Sequence, residues 1–103
     1  MIEMLWIQRC IQDEKYLFSK HGDQERQNDN LKIREIEEAL QDGKIIESYQ
    51  DTGRGESCLV AGFTKGGKPV HCVCGSQENQ MVIITVYIPK PPKFKNPYER
   101  GTE

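Results

Sequence analysis

Between Lys44 and Pro89 the chain carries four runs rich in β-branched and aromatic residues, KIIESY, SCLVAGFT, KPVHCVC and MVIITVYIP. Short turns, DTGRGE (after Gln50), KGG and GSQENQ, separate them. Connections this short leave no room for crossover helices, so the pattern predicts an antiparallel meander. What precedes it is helical in period. Ile2, Leu5, Trp6, Ile7, Cys10 and Ile11 recur at helical spacing up to Asp13, and Tyr16 to Phe18 reads as a short extended link. Ser19 is placed to cap a polar helix, KHGDQERQND, with Asp23 in its first turn. Leu31, Ile33, Ile36, Ala39 and Leu40 then form an apolar stripe ended by Gly43. Helices followed by strands predict an α+β fold, with N-terminal helices packed on one face of a four-stranded, mostly antiparallel sheet.

A chain of 103 residues supports one modest core, so residues 1–103 are read as a single domain. Within it, 1–14 is an N-terminal helix, 15–89 the helix-plus-sheet core and 90–103 a tail. That tail, KPPKFKNPYERGTE, is expected to be irregular and draped over the surface. The start, MIEMLWIQRCIQDEK, is not a basic segment followed by an apolar run, so the four cysteines are expected to be free thiols in a reducing, cytoplasmic compartment. No apolar run approaches the roughly 20 residues that cross a bilayer, and no membrane association is expected. The net charge of −2 hides an asymmetry: residues 1–51 hold 7 Lys/Arg against 12 Asp/Glu, and 52–103 hold 7 against 4. Such a division suits a basic face for a polyanion beside an acidic face for another partner.

Gly66 and Gly67 have the composition of a two-residue hairpin turn, which sets Lys65 against Lys68 and Gly62 against His71. Leu59, Ala61, Phe63, Val70, Cys72 and Cys74 would then face the helices, and His71 the other side. On the last strand the uniformly aliphatic set Val82, Ile84, Val86 and Ile88 is assigned to the core, leaving Thr85 and Tyr87 on the open face with His71. A lone strand histidine is usually a satisfied structural residue. In the company of two hydroxyls it is also the material of acid–base chemistry.

In the polar helix, His21, Glu25 and Asp29 follow at i, i+4 and i+8 beside Arg26, which a solvated helix with local ion pairs also explains. Spread over two turns they make a poor metal site, and no metal or cofactor is expected. Cys72 and Cys74 form CxC rather than the CxxC of zinc ribbons and are read as small core hydrophobes, as are Cys10 and Cys58. Arg54, at the tip of DTGRGE, is placed to grip a phosphate.

Taken in order, FSKHGDQER, IREIEEALQDGKIIESYQD, RGESCLVAGFT, GKPVHCVCG and IITVYIP with a trailing lysine, aromatic and arginine resemble the family of domain of unknown function 4258, from about Tyr16 to Arg100. The resemblance implies the helix-plus-antiparallel-sheet fold of the RelE and MqsR ribonuclease toxins and pairing with a zinc-binding, helix-turn-helix antitoxin. It places His21, Glu25, Arg54, His71, Thr85 and Tyr87 on family motif positions. The expected function is a metal-independent endoribonuclease, the toxin of a toxin–antitoxin pair. His71 and His21 would serve as base and acid in either order, and Arg26, Arg54, Lys68 and Arg100 would hold phosphate. Tyr87 would stack a base or donate a proton. The alternative is a non-catalytic protein- or nucleic-acid-binding module using the same face.

Overall fold

A computed structural model describes residues 1–51, 53 and 55–101. Three helices, α1 (Met4–Gln12), α2 (Lys20–Asn28) and α3 (Ile33–Gln41), are combined with β1 (Tyr16–Phe18), β2 (Lys44–Tyr49), β3 (Ser57–Phe63), β4 (Pro69–Gln77) and β5 (Gln80–Tyr87). A small hairpin, β6 (Phe94–Asn96) and β7 (Glu99–Arg100), follows. The main sheet has the order β1-β5-β4-β3-β2, antiparallel throughout except that β1 pairs in parallel with β5. The class is α+β as expected, with a fifth strand. Tyr16 to Phe18, read as a link, hydrogen-bonds along Met81–Ile83.

The amphipathic stripes of α1 and α3 cover one face of the sheet. Ile7, Cys10, Ile11, Ile36, Ala39 and Leu40 pack there on Cys58, Val60, Val70, Cys72, Cys74, Met81, Ile83 and Val86. All four thiols are free and buried. Gly62 lets α3 approach β3 closely, because a Cβ at that position would collide with the Ala39 carbonyl. Gly62 therefore makes room for a helix, not for the imidazole that sequence pairing had set opposite it.

Two features of the meander overturn the expected faces. The β3–β4 connection is a three-residue loop, Lys65–Gly67, in which Thr64 N–H donates to Lys68 O at 2.9 Å and Gly67 adopts φ +88°. The register slips by one, so His71 opposes Ala61, and Leu59, Ala61 and Phe63 leave the helical face for the face of His71. In β5, Thr85 opposes Val73 while Ile83 opposes Cys74, leaving Ile84 as an extra residue. That bulge divides the aliphatic set: Val86 stays in the core, whereas Val82 and Ile84 turn to the second face and Met81 and Ile83 replace them.

The tail also differs from expectation. Residues 94–100 form the β6–β7 hairpin, strapped across one end of the second face, with Phe94 only 2% exposed. No helix among the described residues is long and apolar enough to cross a membrane.

Candidate functional site

The second face is built in rows that run straight across the strands. One row is Lys44–Ala61–His71–Tyr87 and lies under the strap. The next is Glu47–Leu59–Val73–Thr85. The third, Tyr49–Ser57–Gly75–Val82–Leu17, spans all five strands.

His71, Thr85 and Tyr87 share this face as expected, but the face is closed over His71, which has no exposed surface. Its Nε2 lies 2.5 Å from the Pro97 carbonyl, and its Nδ1 lies 3.1 Å from Tyr87 Oη. A carbonyl only accepts, so the proton sits on Nε2; the neutral ring then accepts the Tyr87 hydroxyl at Nδ1. Burial pushes the His71 pKa below its ordinary value, opposed by the hydrogen bond to Pro97 and the nearby Glu47. Phe94 stands edge-on to the imidazole at 4.4 Å between centroids. Tyr87, partly exposed, is pushed up by burial and keeps its proton.

Arg100 leaves the strap to form two bonds with Glu47, Nε to Oε2 at 2.7 Å and Nη2 to Oε1 at 2.9 Å. Tyr49 donates to the same carboxylate. The Arg100 bonds, ahead of the Tyr49 bond, hold Glu47 below the usual carboxylate range. Neither Glu47 nor Tyr49 was singled out in the sequence. Their i, i+2 spacing in KIIESY is the signal for a shared face, but a bulge between Ile45 and Glu47 hides which face it is.

The α2 residues lie along the edge of β5. The Ser19 side chain caps the helix by accepting from Gly22 N–H and donates to the Ile84 carbonyl. Gly22 permits that contact, since a Cβ there would sit 2.7 Å from the Ile83 carbonyl oxygen. Glu25 Oε1 accepts from Val86 N–H at 3.0 Å and Asp29 Oδ2 from Ile88 N–H at 3.0 Å, so both carboxylates satisfy strand amides that β1 is too short to reach. His21 is 68% exposed, and its Nε2 meets the same Glu25 oxygen at 3.3 Å.

The remaining expected phosphate ligands are engaged elsewhere or not described. Arg26 binds Asp23 at 2.7 Å and the Leu31 carbonyl, and lies over Phe18. Lys68 pairs with Glu35 at 3.1 Å. Arg54 lies outside the described residues. His21 and His71 share no hydrogen-bond partner: one is exposed on a helix, the other sealed in the sheet.

Where the strap ends, the second face opens into a groove of about 600 Å³ whose lining includes Leu17, Ser19, Tyr49, Gly75, Val82 and Ile84. The family model described as a domain of unknown function (DUF4258) matches residues 18–88. No curated protein and no solved structure matches the chain.

Proposed function

Since the chain belongs to the DUF4258 family, we propose that it is an endoribonuclease of the toxin type, cleaving RNA on the second face of the sheet by attack of the ribose 2′-hydroxyl, without a metal ion. The observation that carries this reading is the exposed His21 held by Glu25, whose carboxylate is itself anchored on the Val86 amide. An imidazole oriented by a fixed carboxylate, with no hydrogen bond to its Nδ1 among the described residues, is the arrangement general acid–base chemistry needs. Ser19, two residues before it, lines the groove. On the second face Tyr87, whose hydroxyl donates to the His71 Nδ1, presents an oxygen that would accept a hydrogen bond from the ribose. Lys93, whose ammonium lies 5.4 Å from the Tyr87 ring centre, and Arg100, which is paired with Glu47 and acts electrostatically on Tyr87, would hold the scissile phosphate. The cognate antitoxin would take the acidic helical side, where Glu14, Glu37, Glu38 and Asp42 rim a groove of about 540 Å³.

The burial of His71, with both ring nitrogens occupied, favours one other reading, a binding module that uses the same face without chemistry. Purified protein incubated with single-stranded RNA, with and without chelator, separates the two. The ribonuclease reading expects cleavage that survives chelator and stops when deoxyribose replaces ribose at the scissile position. In His21→Gln the rate per folded molecule should fall by about 10²-fold or more. Full-rate cleavage by that variant would reject the role of His21. No cleavage by the parent protein would leave the binding module.

A further inference from the structure

We propose that the groove on the second face is a subsite for one unpaired nucleobase, held against Tyr49. The inference rests on the RNA reading above for its ligand, and on the row Tyr49–Ser57–Gly75–Val82–Leu17 for its shape. In that row the two smallest side chains, Ser57 and Gly75, occupy the middle strands, and the largest stand at the edges. Tyr49 is 37% exposed at one edge and Leu17 55% exposed at the other. A row that is low in its centre and high at both ends makes a trough across the sheet. Gly75 keeps it open and flat: a Cβ there would lie 2.8 Å from Ile84 Cδ1 and stand up from the floor.

The lining selects the ligand. Ile84, Val82 and Leu17 offer apolar surface, and Tyr49 offers an aromatic face whose hydroxyl is tied to Glu47, which restrains the ring. Ser57, Gln50 and Gln77 supply polar groups at the margins for the edge of a base. Among the described lining residues the only charged side chain is Glu56, which pairs with the N-terminus at 3.2 Å. Among the described lining residues no cationic side chain faces the trough, a setting that disfavours phosphate and admits a neutral planar ring. Phosphates would run outside it, toward Arg100 and Lys93. Stacking on an aromatic side chain tolerates every base, so the subsite strengthens binding without demanding one sequence.

The test uses a fluorescent single-stranded oligonucleotide of about eight nucleotides, blocked by 2′-O-methyl groups, and the same chain lacking bases. Tyr49→Ala should weaken binding of the base-bearing strand about tenfold and leave the abasic strand unchanged. Tyr49→Phe, which keeps the ring and loses the bond to Glu47, should bind as the parent does. Gly75→Ala should weaken binding by filling the trough, at the cost of a small shift in the flexible end of Ile84. In the parent protein the amide resonances of Ser57, Gly75 and Val82 should move on titration with the base-bearing strand alone. Parent-like affinity in both Tyr49→Ala and Gly75→Ala, with those amides unmoved, overturns the subsite even if the protein cleaves RNA. Base-dependent binding at Tyr49 without cleavage overturns the ribonuclease reading and keeps the subsite. An absence of both binding and cleavage overturns the two together.

Discussion

At His71 a fully buried strand position holds a titratable side chain, and the consequence is a dependence of stability on pH. Because burial lowers its pKa in the folded state, the unfolded chain binds the extra proton first as pH falls. Stability is therefore complete above the unfolded value of about 6.5 and declines as pH drops toward the lowered folded value. Thermal midpoints measured from pH 8 to 5 should fall on acidification, and His71→Gln should remove that slope while lowering stability at every pH. A midpoint that rises on acidification would contradict the burial. The thiols give a second residue-scale prediction. Burial pushes Cys58 up to about 11 and Cys72 up to about 12, so a thiol reagent at pH 8 should react slowly with native protein and with all four cysteines after denaturation without reductant. At this scale the sequence disclosed which groups could be chemical, and that His71, Thr85 and Tyr87 share a face. It could not disclose that Pro97 and Phe94 close over the imidazole, since that contact joins residues more than 20 positions apart through a tail with no periodic pattern.

At the scale of elements, the unpaired half of the β5 edge is held by side chains. Beyond Ile83 no β1 residue pairs with β5, and Glu25 and Asp29 accept the Val86 and Ile88 amides in its place. Glu25→Ala should cost about 1–3 kcal/mol, the loss of a hydrogen bond to a charged group that leaves an amide unsatisfied. It should also accelerate hydrogen exchange at Val86, with Asp29→Ala doing the same at Ile88. Unchanged exchange in both variants would show that water replaces the carboxylates without loss. All three helices and four of the strands were legible, because apolar stripes and β-branched runs report directly on what each element buries. The faces of the strands were not. A strand's side-chain period of two turns any one-residue error into a complete exchange of faces, and here a three-residue loop at Lys65–Gly67 and a bulge at Ile84 each supply one. The carboxylates of α2 looked like solvated charges because helix spacing does not show which strand amides lack partners.

At the scale of the whole molecule, the strap is part of the fold. Phe94 is among the largest fully buried side chains, so Phe94→Ala should cost about 3–5 kcal/mol in chemical denaturation. The same change should move the His71 resonances toward a histidine that titrates near its ordinary value, because water then reaches the ring. A variant that keeps both the stability and the depressed titration would show that the strap holds without its anchor. The parallel pairing of β1 with β5 has a further consequence, for the timing of synthesis. Ser19 and Ile84, which hydrogen-bond at this junction, stand 65 positions apart in the chain. During translation β2, β3 and β4 can zip as successive hairpins while Tyr16–Phe18, already made, has no strand to join. Its slot exists only once β5 has left the ribosomal exit tunnel, and α2 can dock along that edge only then. A nascent chain stalled before β5 emerges therefore lacks the docked His21–Glu25 pair and the strap alike, so any activity that depends on them is withheld until synthesis has passed β5.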